Sequence, residues 1–447
     1  MHIRRKTYDL LLDWKNRSKG RTAILIDGAR RVGKSYLAEE FGKKEYRSFI
    51  TINFAHTTPA VRDIFENDFM DLDLFFSKLS VLNGVVLYRR ESLIIFDEVQ
   101  RFPKARELIK FLVADGRYDY IETGSLISIK HSVREIVIPS EEEHIYLHPL
   151  DFEEFLWALG DETTACFIRD RFEKLEPLGN AVHRKVMNSF RQYMLIGGMP
   201  QAVVAYVESK DFEVADRAKK MILDLYRQDI SKFADGYEMK VTSIFDRIPA
   251  QLSKREKKFN ITSLSKDSRT RNYEDAFMWL ADGMIINQCF NATDPTVGLS
   301  MNLGLSSQKC YMADTGLLVT HALSDSGYMD NYLYKSILLD KLNINEGMLM
   351  ENVVAQMLRA RGHRLFFYSR SDSTDRKNNM EIDFLIKKNN KICPVEVKSS
   401  AYVQHSSLDK FTGKFGNRLG RAYVLHTKDV SVKDNIVCIP IYMAMCL

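Results

Sequence analysis

The chain has 447 residues, 45% of them hydrophobic and 28% charged, with a formal net charge of only +5. That balance suits two to four globular domains, each able to bury its own core, and excludes a disordered or fibrous chain. No apolar run approaches the roughly 20 residues that cross a bilayer and no signal-type stretch opens the chain, so a cytoplasmic protein without a membrane partner is expected; the six cysteines form no C-x-x-C pair and read as reduced thiols without zinc.

Met1 to Ser18 reads as an amphipathic helix through Leu10, Leu11, Leu12 and Trp14, with Arg4, Arg5 and Lys6 at its front. Two readings stand: a cover over the base of a nucleotide, or a helix on a sheet edge with solvated basic residues. Thr22-Ala23-Ile24-Leu25-Ile26 is a short apolar run of the kind that forms a strand buried on both faces. It leads into Gly28-Ala29-Arg30-Arg31-Val32-Gly33-Lys34-Ser35, a complete G-x-x-x-x-G-K-[ST] phosphate loop, and a helix continues from Tyr36 to Phe41. A polyphosphate is bound largely by backbone N–H groups, which curl around it only where side chains do not intrude. Gly28 and Gly33 supply that freedom, Lys34 reaches the β/γ-phosphates, and the Ser35 hydroxyl is placed to ligate Mg²⁺. Gly28, Ala29, Arg30, Arg31, Val32, Gly33, Lys34, Ser35 and Tyr36 are therefore the expected ATP-binding residues.

Phe49 to Phe54 is the next strand, followed by an acidic helical region from Val61 to Leu79. Leu93-Ile94-Ile95-Phe96-Asp97-Glu98 is an apolar strand ending in two carboxylates, a Walker B pattern in which Asp97 serves Mg²⁺ and Glu98 orients and polarises the attacking water. Lys104 to Ala114 is helical by its Leu108, Phe111 and Leu112 spacing, and Tyr120 to Ser125 ends a further strand with small polar residues. Parallel sheets bind ligands beyond the carboxyl ends of their strands, so Thr123 or Ser125 is positioned to sense the γ-phosphate. Glu98, Lys34 and Thr123 are the expected catalytic residues.

Asp151 to Phe233 is nearly all helix, a lid, interrupted at Gly197-Gly198-Met199-Pro200, which reads as a hinge or as a turn that packs two helices. From Val241 to Leu318 the succession of helices followed by strands at Met284 to Phe290 and Lys309 to Met312 resembles a winged helix. Its recognition helix is expected to start near Arg271-Asn272-Tyr273, directly after Lys254 to Arg271, which carries seven Lys/Arg against two Asp/Glu. Such a stretch neutralises phosphates of DNA in a salt-dependent way, or is simply solvated. In the last hundred residues a helix from Glu346 to Ala360 carries Glu351, and strands at Met380 to Ile386 and Ile392 to Lys398 carry Asp383 and Glu396. The two-residue period puts Glu396 and Lys398 on one face. The order helix Glu, strand Asp, then Glu-x-Lys resembles the metal-dependent PD-(D/E)xK nucleases, which implies a divalent cation on Glu351, Asp383 and Glu396 with Lys398 beside the attacking water.

The order GARRVGKS, LIIFDEVQ, ETGS, Leu147 to Phe155, Gly197 to Pro200, Tyr311-Met312-Ala313-Asp314-Thr315-Gly316-Leu317 and the Glu351-Asn352 helix resembles a bacterial and archaeal family of AAA+-type ATPases with a C-terminal region of unassigned function. The resemblance spans essentially the whole chain and implies ATP and Mg²⁺ as ligands. One departure is local: Pro139-Ser140-Glu141-Glu142-Glu143 stands where many members carry Gly-Arg, so no cis arginine is identified and Arg134 is only a loose substitute. A neighbouring copy would then have to supply one, which makes an oligomer a candidate state.

The expected architecture is α/β: a P-loop ATPase core over residues 1–150, a helical lid over 151–235, a winged-helix-like domain over 236–325 and a restriction-endonuclease-like α/β domain over 335–447. Two functions follow. In one, an ATPase controls a C-terminal domain that cleaves nucleic acid. In the other, the protein is a nucleotide-controlled switch or DNA-binding module whose nuclease-like domain does not cleave, with DNA or RNA as candidate partners.

Overall fold

An apolar strand needs cover on both faces, and the N-terminal unit, Arg4–His148, is built to give it. In this computed structural model its strands Ala23–Gly28 (β1), Ser48–Asn53 (β2), Ser92–Asp97 (β3), Asp119–Gly124 (β4) and Glu142–Leu147 (β5) form one parallel sheet in the order β2-β3-β4-β1-β5. Its helices are Thr7–Ser18 (α1), Lys34–Glu45 (α2), Pro59–Asp63 (α3), Leu72–Asn83 (α4) and Pro103–Asp115 (α5). β1, β3 and β4 are buried along their whole length. Phe75, Phe76 and Leu79 of α4 and Leu108, Ile109 and Leu112 of α5 join Leu25, Ile94 and Phe96 of the sheet in one core. α4 begins where the Asp71 carboxylate accepts the amides of Asp73 and Leu74, and ends at Gly84 in the left-handed region. Because β4 lies between β1 and β3, the carboxyl ends of three neighbouring strands face the loop that follows β1. The structure describes residues 1–124, 140–234, 236–254, 257–261, 264, 270–296, 298–323, 331–338, 346–370, 379–399, 406–433 and 435–447; Ser125, Arg134, Pro139 and, in the basic stretch, residues 255, 256, 262, 263 and 265–269 lie outside the described residues.

The second unit, Pro149–Leu447 with Met1–Ile3, begins with helices. These are Phe152–Ala158 (α6), Thr164–Lys174 (α7), Asn180–Ile196 (α8), Pro200–Ser209 (α9), Phe212–Phe233 (α10), Glu238–Leu252 (α11) and Glu274–Asp282 (α12). The first starts at a reciprocal cap, in which Asp151 accepts the Glu154 amide at 3.0 Å and Glu154 accepts the Asp151 amide at 3.1 Å. An antiparallel hairpin, Ile286–Ala292 (β6) and Leu303–Met312 (β7), follows, then Thr315–Ala322 (α13), Asn331–Leu338 (α14) and Glu346–Ala360 (α15). The chain closes through Leu365–Arg370 (β8), Met380–Ile382 (β9), Phe384–Lys388 (β10), Lys391–Val397 (β11), Ser406–Phe415 (α16), Ala422–His426 (β12), Ser431–Lys433 (β13) and Ile436–Pro440 (β14).

Two mixed sheets result, β7-β6-β8-β9 and β10-β11-β12-β14-β13. β8 pairs in parallel with β6, so the hairpin's edge is covered by a strand from the C-terminal region. The run Met380 to Ile386, read from sequence as one strand, is two strands in different sheets. Asp383 is the break: its Oδ2 accepts the Val397 amide at 3.0 Å, so a side chain stands where a main-chain partner would continue the ladder. The tight turn after β10 uses Asn389 and Asn390 at φ 50° and 58°, as a two-residue hairpin requires.

The Gly197-Gly198-Met199-Pro200 turn meets the Asp314-Thr315-Gly316 turn, 116 residues further on. Asp314 Oδ2 accepts the Gly198 amide at 2.5 Å while its Oδ1 accepts the Leu317 amide at 2.9 Å. A Cβ on Gly198 would lie 2.1 Å from the Leu150 carbonyl oxygen, and one on Gly316 2.3 Å from that of Ile196. Gln356 and Asn352 of α15 close the network on Thr315, with hydrogen bonds of 2.8 and 2.9 Å. The turn is a fixed joint between helices, not a loose hinge. Gly198→Ala is expected to lower stability by about 2 kcal/mol or more. Gly413→Ala, mid-helix with open space around it, should be neutral or slightly stabilising; equal melting temperatures for the two variants would contradict the joint.

Candidate active site

At the end of β1 the chain turns through a space that admits no side chain: a Cβ on Gly28 would sit 2.6 Å from the Leu147 carbonyl oxygen. Arg31 and Gly33 follow in the left-handed region, at φ 68° and 95°, and Gly33 opens α2 with no side chain capping its amides. The Lys34 ammonium folds back into the loop and donates to the carbonyls of Gly28 at 2.8 Å and Ala29 at 3.1 Å. Enclosure pulls its pKa down to about 8, against the pull of Glu98, Asp27 and Asp97. Behind the loop, the buried Arg5 guanidinium donates to the carbonyls of Val32 at 3.1 Å and His148 at 2.5 Å. The basic front of the N-terminal helix thus fixes the loop's backbone. Arg30, Arg31 and Tyr36 are exposed.

Asp97 ends β3 and gathers three donors. Its Oδ1 accepts the Ser35 hydroxyl at 2.6 Å and the Thr123 hydroxyl, and its Oδ2 accepts the Asn53 amide at 2.7 Å. Strand register explains the meeting, since Asn53 pairs with Asp97 across β2 and β3. Thr123 was expected from sequence as a sensor of phosphate; its hydroxyl points to Asp97. Asn53 was not singled out, although its place at the end of the second strand was the available signal. Glu98, half-buried, takes the left-handed conformation at φ 57°, which costs a residue with a Cβ about 1 kcal/mol or more. The Gln100 side chain, 2.6 Å from Glu98 Oε2, holds the carboxylate in one orientation.

A charge network with buried carboxylates and an exposed imidazole lies on one face of the same sheet and carries no local signal in the sequence. His144 Nδ1 is 2.8 Å from Asp27 Oδ2 and its Nε2 is 3.0 Å from Glu142 Oε1, while Arg106 donates to Glu142 at 2.7 Å and approaches Glu122 at 3.8 Å. Hydrogen bonds to Asp27 and Glu142 raise the imidazole pKa to about 9. Glu142 overcomes its burial through His144, Glu122 and Arg106 and falls to about 2. Burial, then the facing Glu142, drives the Glu122 pKa well up.

The C-terminal carboxylates sit differently from the expected metal site. Lys309 of β7 brings its ammonium 2.9 Å from Glu381, 3.4 Å from Asp383 and 3.6 Å from Glu351. Lys257 ion-pairs with Glu351 and donates to the Gly347 carbonyl at 3.0 Å, and the Tyr311 hydroxyl donates to Glu351 at 3.0 Å. Burial opposes the Lys309 charge, but Glu351, Asp383 and Glu381 outweigh it and hold its pKa well above the ordinary lysine value. Burial, reinforced by Asp383, raises Glu351. Glu396 pairs at 2.6 Å with Lys398. Among the described residues no group of three or more His, Cys, Asp or Glu is arranged to hold a metal ion. Glu351 and Asp383 do meet, with Lys309 between them. Sequence reading passed over Lys309 and Glu381; the signal was that Lys309 and Tyr311 share one face of a strand.

Residues 20–156 match a family described as an AAA domain, residues 187–327 a domain of unknown function, DUF8612, and residues 346–444 a domain of unknown function, DUF4143. No curated protein matches the chain. Among solved structures, the Aeropyrum pernix ORC1 protein in complex with DNA aligns at 11% identity over 73% of this chain and 94% of that one, with a TM-score of 0.27. Drosophila ORC bound to DNA aligns at 14% identity over 72% and 95%, with a TM-score of 0.27. A Signal Transduction ATPase with Numerous Domains from Pyrococcus horikoshii aligns at 11% identity over 81% and 50%, with a TM-score of 0.28. At these scores the likenesses say nothing of function. The N-terminal unit is an α/β P-loop nucleotide-binding domain of AAA type, by its sheet, its loop and its family match. No helix among the described residues is long and apolar enough to cross a membrane.

His144 makes the unit's stability pH-dependent. With the folded pKa near 9 against an ordinary 6.5, its contribution is fully present below about pH 6.5 and is lost as pH rises through about 9. Urea unfolding at pH 6 and pH 9 should show wild type losing more stability than His144→Asn over that interval. Parallel losses would contradict a charged imidazole between Asp27 and Glu142.

Proposed function

We propose that the N-terminal unit binds ATP with Mg²⁺ and hydrolyses it, with residues Gly28 to Tyr36 forming the phosphate cradle. One observation carries the reading: the Ser35 hydroxyl and the Asp97 carboxylate lie 2.6 Å apart beside that loop, the two donor types that serve Mg²⁺ in P-loop proteins. Ser35 and Asp97 would hold Mg²⁺ there, and the ion would supply neutralisation of phosphate charge. The chain's own residues do the rest. Lys34 has an ammonium already inside the loop, free to exchange two carbonyl partners for phosphate oxygens. Glu98, held by Gln100, takes the role of orienting the attacking water and accepting its proton. Thr123 and Asn53 orient Asp97, so Thr123 acts as a positioning residue.

We further read residues 236–325 as winged-helix-like and 335–447 as nuclease-like in fold, so that the nucleotide cycle controls a domain that does not cleave. The non-cleaving reading is favoured over cleavage by Lys309, whose ammonium occupies the space among Glu351, Glu381 and Asp383. DNA or RNA is the partner class that the Lys254 to Arg271 charge suggests; α12 itself shows Glu274 and Asp275 to solvent and carries no Lys or Arg.

Lys34→Ala is expected to abolish ATP binding in an equilibrium titration. Glu98→Gln should keep that binding while phosphate release slows about 100- to 10,000-fold; turnover equal to wild type would remove the water-orienting role from Glu98.

A further inference from the structure

In a PD-(D/E)xK site the carboxylates of one helix and one sheet share a divalent cation. Here two of the corresponding carboxylates, Glu351 and Asp383, share an amine with Glu381, while Glu396 pairs with Lys398. Glu351 comes from α15, Glu381 from β9 and Asp383 from the break between β9 and β10, and all three approach one nitrogen, Lys309 Nζ, within 3.6 Å. That nitrogen arrives from β7, in the region of the chain matched by a different family from the one that supplies the carboxylates. The lysine is 1% exposed, and its ammonium also lies 5.3 Å from the Phe367 ring. Tyr311 donates to the Glu351 Oε2 that faces Lys309, and Lys257 takes the other oxygen, Oε1. Asp383 spends its other oxygen on the Val397 amide. Four polar groups, the Lys309 and Lys257 ammoniums, the Tyr311 hydroxyl and the Val397 amide, therefore share the three carboxylates. A divalent cation needs several oxygens at about 2.0–2.6 Å from one centre, and an ammonium already stands there.

We infer that Lys309 is a built-in replacement for the divalent cation: it neutralises Glu351, Glu381 and Asp383, closes the site to metal and ties β7 to α15 and to the β9–β10 break. This rests on the nuclease-like reading of residues 335–447. It goes beyond that reading by naming the residue that excludes the metal and by making the exclusion reversible. Removing the amine while keeping the apolar stem leaves three carboxylates with one remaining lysine, a donor set that recruits a hard cation.

The test uses the full chain without nucleotide, with Mn²⁺ as the probe and the melting temperature as the readout. Wild type should melt at the same temperature in EDTA and in millimolar Mn²⁺. Lys309→Met should melt roughly 5 °C or more lower in EDTA and recover most of that loss in Mn²⁺. The double variant Lys309→Met with Asp383→Asn should not recover. Lys309→Met that melts like wild type and ignores Mn²⁺ would overturn the inference. If Lys309→Met does not fold, calorimetric titration of Mn²⁺ into wild type and Asp383→Asn decides: identical isotherms are expected, and binding in wild type that Asp383→Asn removes would overturn it. The parent reading fails separately, through Mn²⁺-dependent cutting of DNA by wild type that Asp383→Asn abolishes.

Discussion

Asp97 accepts hydrogen bonds from side chains on α2, β2 and β4, and the rest of the N-terminal unit is arranged so that they can reach it. A parallel sheet with β4 inserted between β1 and β3 brings the carboxyl ends of its strands to one edge, and the phosphate loop lies along that edge. An ionised carboxylate left there without donors would be costly to bury. Three neutral donors hold it without cancelling its charge, so its attraction for a cation persists. Lys34 is kept the same way, by two carbonyls that stabilise the ammonium but do not neutralise it. A site pre-organised by dipoles instead of counter-ions is what a charged ligand can enter without breaking an ion pair.

In the second unit Glu351, Glu381 and Asp383 are held in the opposite manner, by counter-ions. Lys309 and Lys257 are paired directly with carboxylates. Other buried charges there follow the pattern of Lys34: Lys219, whose pKa burial lowers to about 8, donates to the Leu195 carbonyl and the Tyr334 hydroxyl at 2.7 and 2.8 Å. Asp314 is consumed by the Gly198 and Leu317 amides. Groups satisfied from within specify a unique packing and offer little to a ligand. The contrast is why the ATPase reading attaches to one unit and a non-cleaving reading to the other.

How much of this could be read from the sequence follows from how local each signal was. The phosphate loop is eight consecutive residues, and the strand before Asp97-Glu98 announces itself by its apolar run, so both were legible. The α15 helix and the β10–β11 hairpin were legible for the same reason. Arg5 and His144 act across long separation, and nothing near them in the chain marks their partners. The split of Met380 to Ile386 was hidden because Asp383, as a polar residue in an apolar run, looks like a ligand and also behaves as a ladder breaker. Lys309 was hidden in plain view: flanked by Cys310, Tyr311 and Met312 it read as the end of a hairpin strand, and only the fold brings it to Glu351.

The central claim is that Asp97 and Ser35 serve the metal of a bound nucleoside triphosphate. Calorimetric titration of the intact chain with a non-hydrolysable ATP analogue, in Mg²⁺ and again in EDTA, tests it most directly. The account predicts saturable one-to-one binding in Mg²⁺ that weakens at least about tenfold, or 1.4 kcal/mol, in EDTA. No binding heat, or an affinity indifferent to magnesium, would contradict it.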